Sequence, residues 1–78
     1  NPFNSKTTIV FTLPTANTVS IRIFDLLGRE ISVITDEKFY RVGAHSVQIN
    51  SDLFSSGVYI YKVQSGEFVK QKKMVILK

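Results

Sequence analysis

Val58-Tyr59-Ile60-Tyr61-Lys62-Val63-Gln64-Ser65-Gly66-Glu67-Phe68-Val69 decides the fold class. Tyr59, Tyr61 and Val63 alternate with Ile60, Lys62 and Gln64. A period of two with β-branched and aromatic residues is the pattern of a strand buried on one face. Ser65-Gly66 is a hairpin signal, so a second strand is expected to return from Glu67 towards the end of the chain.

The same period recurs outward from this hairpin. Ile9, Phe11 and Leu13 alternate with Thr8, Val10 and Thr12, and Val19, Ile21 and Ile23 with Ser20, Arg22 and Phe24. Ile31 and Val33 flank Ser32, and Val47 and Ile49 flank Gln48. Turn chemistry separates these runs. Pro14 ends the first because it has no N–H for a ladder. Gly28, in Leu26-Leu27-Gly28-Arg29, is placed to take the positive φ of a tight turn. Asp36 to Gly43 reads as the longest connection, and Ser51 to Gly57 as room for one helical turn capped by Ser51. Short strands at regular spacing without a long helix give an all-β sandwich or barrel. The expected core is Ile9, Phe11, Leu13, Val19, Ile21, Ile23, Ile31, Val33, Val47, Ile49, Tyr59, Tyr61 and Val63. Tyr59 is either a plain core residue or a corner tyrosine whose hydroxyl bonds back upstream.

The last strand is irregular. Val69, Gln71, Lys73, Val75 and Leu77 share one face, and Phe68, Lys70, Lys72, Met74, Ile76 and Lys78 the other. Either a bulge near Lys72-Lys73 moves the apolar set across, or Met74 to Leu77 is apolar on both faces and one face meets a partner.

Charge is concentrated here too. Lys62 to Lys78 holds five Lys and one Glu, a balance of +4, while Asn1 to Tyr61 holds five basic and five acidic residues and balances to zero. The net +4 of the 78-residue chain therefore lies on the final hairpin.

The 78 residues make one domain, 1–78. A chain this short buries roughly 60–65% of its unfolded surface, so stability is modest. Cysteine is absent and His45 is the sole histidine, which removes thiolate and His-pair metal sites. No apolar run is long enough for a membrane helix, and stable membrane insertion is not expected. The opening Asn1-Pro2-Phe3-Asn4 has no signal-peptide character and no initiator Met precedes it, so the expectation is a domain excised from a longer protein.

Catalytic patterns are not evident. His45 has no Ser and Asp at supportive spacing, Asp36-Glu37 are neighbours whose side chains diverge, and the four glycines are scattered singletons. Neither an enzyme nor a cofactor is expected. Lys70, Lys72, Lys73 and Lys78 could meet phosphates, but Tyr59, Tyr61 and Phe68 fall in core phase rather than on a stacking surface, so nucleic acid is not the expected partner. A lysine-protected edge strand accounts for the same residues.

Five ordered blocks resemble the C-terminal sorting domain of the type IX secretion system, in its A-type family. They are Asn1-Pro2-Phe3-Asn4 with Thr8 to Pro14; Phe24-Asp25-Leu26-Leu27-Gly28-Arg29-Glu30; Gly43-Ala44-His45; Ser56-Gly57-Val58-Tyr59-Ile60-Tyr61; and Lys72-Lys73-Met74-Val75-Ile76-Leu77-Lys78. Ile49 stands where many members carry Trp. The resemblance implies an immunoglobulin-like antiparallel β-sandwich of about seven strands. It implies an export address for an N-terminal cargo, recognised in the periplasm and taken through the outer membrane by the type IX secretion machinery. A sortase-like peptidase would remove the domain upstream of residue 1, and the cargo would be secreted or held at the cell surface. A monomer is expected. The recognition element implied is Lys72, Lys73, Met74, Val75, Ile76, Leu77 and Lys78. Asp25, Gly28, Arg29, Gly43, Gly57 and Tyr59 are the implied structural motif. The alternatives are a structural module like the immunoglobulin-like domain of flagellar hook-capping proteins and, from another class, a carbohydrate-binding sandwich.

Overall fold

The computed structural model describes residues 6–77. Six strands fall within them: β1 (Lys6–Leu13), β2 (Asn17–Phe24), β3 (Glu30–Tyr40), β4 (Gly43–Asn50), β5 (Gly57–Ser65) and β6 (Phe68–Ile76). A short 3-10 turn, Ser51–Leu53, links β4 to β5. β1 and β4 make a two-stranded sheet, and the other four make a sheet in the order β3-β2-β5-β6, with every pairing antiparallel. The chain forms the expected all-β sandwich of immunoglobulin-like type. β1 passes its neighbours in sequence to pair with β4, and β2 pairs with β5. Such long-range pairing lets two sheets close over one core.

The core joins alternate residues of both sheets. Ile9, Phe11 and Leu13 of β1 and Ile49 of β4 meet Val19, Ile21 and Ile23 of β2, Tyr61 and Val63 of β5, and Met74 and Ile76 of β6. Phe54 completes it from the β4–β5 connection. Val47 and Tyr59 are half-buried and pack against this cluster.

The core reading fails on β3. Ile31 and Val33 are exposed, at 45% and 42%, and Ile34 packs on the core instead. Both phases of this segment carry aliphatic residues, so alternation alone could not choose between them. Three register shifts between β2 and β3 decide it, because each one-residue slip reverses the side-chain phase.

β3 is also longer than expected. It runs through Asp36 and Glu37 to Tyr40, leaving only Arg41 and Val42 before β4. Glu37 adopts φ +52°, and β2 side chains hold it there: its N–H donates to Ser20 Oγ at 3.1 Å, and Thr18 Oγ1 donates to its carboxylate at 2.8 Å. These bonds replace the regular ladder at the irregularity, so the polar segment continues as strand. The 3-10 turn is likewise capped by Asn50 rather than Ser51; Asn50 Oδ1 accepts from the Asp52 N–H at 3.0 Å.

Candidate functional site

Two structured turns frame one end of the larger sheet. In the β2–β3 turn, Asp25 Oδ1 accepts from the backbone N–H groups of Leu27 and Arg29, each at 2.9 Å. Its Oδ2 accepts from Arg29 Nε at 2.7 Å. The backbone closes the same loop, with Asp25 N–H donating to Arg29 carbonyl at 3.0 Å. A carboxylate can satisfy all these donors at once because an ionised Asp is acceptor-only. The Arg29 backbone N–H, foremost, then the Arg29 side chain and the Leu27 N–H hold the Asp25 carboxyl below its ordinary value of 3.8, against an opposing push from burial.

Gly28, at φ +86°, lets the chain reverse here. Nothing lies within 4 Å of the place a Cβ would take, so its role is conformational rather than steric. Gly28→Val is expected to destabilise the domain by roughly 1 kcal/mol or more through backbone strain alone. Chemical denaturation reads this directly, and an unchanged midpoint would show the turn to be indifferent to its backbone angle. Gly43, at φ +117°, starts β4 in a conformation still further from what side chains allow.

The Asp25 bonds make stability depend on pH. The folded carboxyl titrates below its unfolded value, so its contribution is complete above the unfolded value and is lost as pH falls through the folded one. Thermal unfolding between about pH 2 and pH 5 should therefore show the native domain losing an increment that Asp25→Asn lacks. Asp25→Ala should melt lower than Asp25→Asn above that range, since the amide oxygen still accepts from the backbone. Parallel pH profiles for native and Asn forms would exclude this role.

Tyr59 acts as a corner tyrosine. Its hydroxyl donates to the Ser55 carbonyl at 2.8 Å, and its ring meets Phe54 edge-on at 5.5 Å. Gly57 has no positive φ, and a Cβ there would meet only the Tyr59 ring in ordinary contact. His45 is structural in its contacts. Its Nε2–H donates to the Arg41 carbonyl at 2.7 Å, and its ring packs against Phe11 and Tyr40.

The final hairpin follows the Tyr59 corner, with its own turn at the opposite end of the larger sheet. β5 and β6 pair in unbroken register from Gly57↔Ile76 to Ser65↔Phe68, without a bulge at Lys72-Lys73. The even-numbered face of β6 is therefore the inner one. Met74 and Ile76 on it are 7% and 1% exposed, whereas Lys70 and Lys72 on the same face are open to solvent. Phe68, at the other end of this face, is half-buried against the core. Val69, Gln71, Lys73 and Val75 form the outer face, and Val75 and Leu77 are 58% and 68% exposed.

The implied recognition stretch is thus divided. Met74 and Ile76 belong to the core, Lys72, Lys73, Val75 and Leu77 to the surface, and Lys78 lies outside the described residues. Lys70, which the sequence offers only as a possible phosphate contact, joins the surface set.

Carboxylates in the rest of the domain have local partners. Arg29 pairs with Asp25, and Arg22 with Glu30 and Asp36. Lys62, Lys70, Lys72 and Lys73 make no ion pair with any described residue. Among the described residues, no ion pair offsets the positive charge of these lysines.

The family model described as secretion system C-terminal sorting domain matches residues 1–77. The chain belongs to this family. No curated protein and no solved structure is significantly similar to it. The sorting-domain family serves type IX secretion, which gives the domain the role of a C-terminal sorting signal for a secreted or cell-surface cargo. It is not an enzyme family. Among the described residues, no helix is long and apolar enough to cross a membrane.

Proposed function

We propose that this sorting domain carries an N-terminal cargo across the outer membrane, and that the secretion machinery reads it mainly through β6. The carrying observation is the unpaired charge. Lys62, Lys70, Lys72 and Lys73 of the final hairpin lack carboxylate partners among the described residues, while Arg22 and Arg29 are paired. Exposed Val75 and Leu77 adjoin these lysines. Charge of one sign beside apolar surface suits steering by an acidic receptor followed by burial of apolar area. In this reading the domain passes through the periplasm folded, and a sortase-like peptidase releases the cargo by cutting upstream of residue 1.

The test is a reporter protein fused ahead of the domain. Lys72, Lys73 and Lys78 changed together to Gln should leave the fold intact, because exposed charges contribute only about 0–1 kcal/mol each. The reporter should then accumulate in the periplasm with its domain uncleaved. Normal surface delivery of the folded triple variant would remove charge from the mechanism.

A further inference from the structure

We infer that β6 is read by strand addition: an acidic extended segment of the partner protein pairs with its free edge. This rests on the reading of β6 as the recognised element and adds how it is recognised.

The larger sheet ends in two edges of unlike character. β3 carries three register shifts and the positive φ of Glu37, irregularities that spoil an edge as a template. β6 has none. It pairs with β5 over nine residues in unbroken register, contains no proline, and among the described residues its other side has no neighbouring strand.

The hairpin geometry says which groups are free. Ser65 pairs with Phe68 across the two-residue turn Gly66–Glu67. In such a hairpin the closing pair exchanges backbone hydrogen bonds, and hydrogen-bonded and non-bonded pairs alternate from there. Phe68, Lys70, Lys72, Met74 and Ile76 therefore spend their N–H and C=O groups on β5. Val69, Gln71, Lys73 and Val75 direct theirs to the free edge.

Side chains select what can use this edge. Lys70 and Lys72 stand on one face and Lys73 on the other, so cations flank the edge on both sides. Side chains directly opposite on paired strands lie about 4.5–5.5 Å apart, and like charges there are unfavourable. A second copy of β6 would bring lysine against lysine. An acidic strand gains an opposite charge at the same positions, with Val69 and Val75 offering apolar contact on the outer face. The lysines thus reject self-pairing and admit an acidic partner through one arrangement.

The probe is a capped nine-residue peptide alternating Glu and Val, titrated into the 78-residue domain and followed by calorimetry and amide hydrogen exchange. Binding is expected to slow exchange at Val69, Gln71, Lys73 and Val75. A Lys–Val peptide should bind roughly tenfold more weakly or worse. Gln71→Pro, which removes an outward N–H and leaves the β5 ladder whole, should abolish binding. Absence of binding at ~1 mM peptide, or binding that leaves the four amides exchanging freely, would overturn strand addition. The second result would place the partner on the sheet face near Phe24, Ile60 and Lys62. Exchange is read on the native domain, so the test stands even if Gln71→Pro does not fold. Failure here leaves the export assay of the lysine triple variant to decide whether β6 is the signal at all.

Discussion

Phe11→Ala is expected to destabilise the domain by about 3–5 kcal/mol, the range for truncating a buried phenylalanine. Phe11 is 2% exposed. Its ring meets Tyr40 edge-on at 5.3 Å and His45 at 5.5 Å, so one side chain from β1 joins the end of β3 to the start of β4. The cost combines lost transfer energy with a cavity that the surrounding strands cannot fill, since their ladders hold them in place. Stability near 0.05–0.15 kcal/mol per residue gives roughly 4–12 kcal/mol for a chain of this size. The variant should therefore be largely unfolded at physiological temperature or melt far below the native domain. Circular dichroism on heating checks this, and a shift of only a few degrees would mean that Phe11 is not central to the packing. His45→Ala removes one of the same contacts and should be milder, because Phe11 and Tyr40 still touch.

Ile76→Ala and Val75→Ser should separate fold from signal on adjacent residues. Ile76 is 1% exposed and contributes to the core, so truncation should cost about 2–5 kcal/mol. Val75 is 58% exposed on the opposite face, and its replacement should change stability by no more than about 0.5 kcal/mol. Under the proposed function the consequences for export have different origins. Ile76→Ala loses export in proportion to unfolding, and a compensating stabilisation elsewhere should restore it. Val75→Ser weakens delivery of a fused reporter while the domain remains as stable as before. Denaturant midpoints measured beside surface delivery distinguish the two. Full delivery of Val75→Ser would confine the signal to the lysines or the backbone. Deleting Met74 to Lys78 cannot make this distinction, because it removes core and surface together.

Legibility varied along the chain for identifiable reasons. β1 and β2 were clear because one phase of each is aliphatic or aromatic and the other mostly polar, so alternation named both the strand and its buried face. The Asp25–Gly28 turn was visible as a glycine between two strand patterns. The carboxylate that holds it closed was placed there by family resemblance, and the bonds that explain it came from geometry. On β6 the phase was ambiguous because Met74, Val75, Ile76 and Leu77 are apolar in succession. The even-numbered face could be chosen only from the register with β5. β3 was misread for a related reason: Ile31, Val33 and Ile34 occupy both phases, and the shifts that select Ile34 depend on pairing with β2.

The amino-acid sequence alone determined the strand content, most of the core and the concentration of positive charge on the last hairpin. Those properties are local, set by side-chain period, turn residues and charge counts within short segments. Tertiary structure decided which face of β3 and β6 is buried, which lysines lack partners, and which edge of the larger sheet is regular. These depend on pairing between segments distant in sequence, where a one-residue change of register reverses a whole face while the local pattern stays the same.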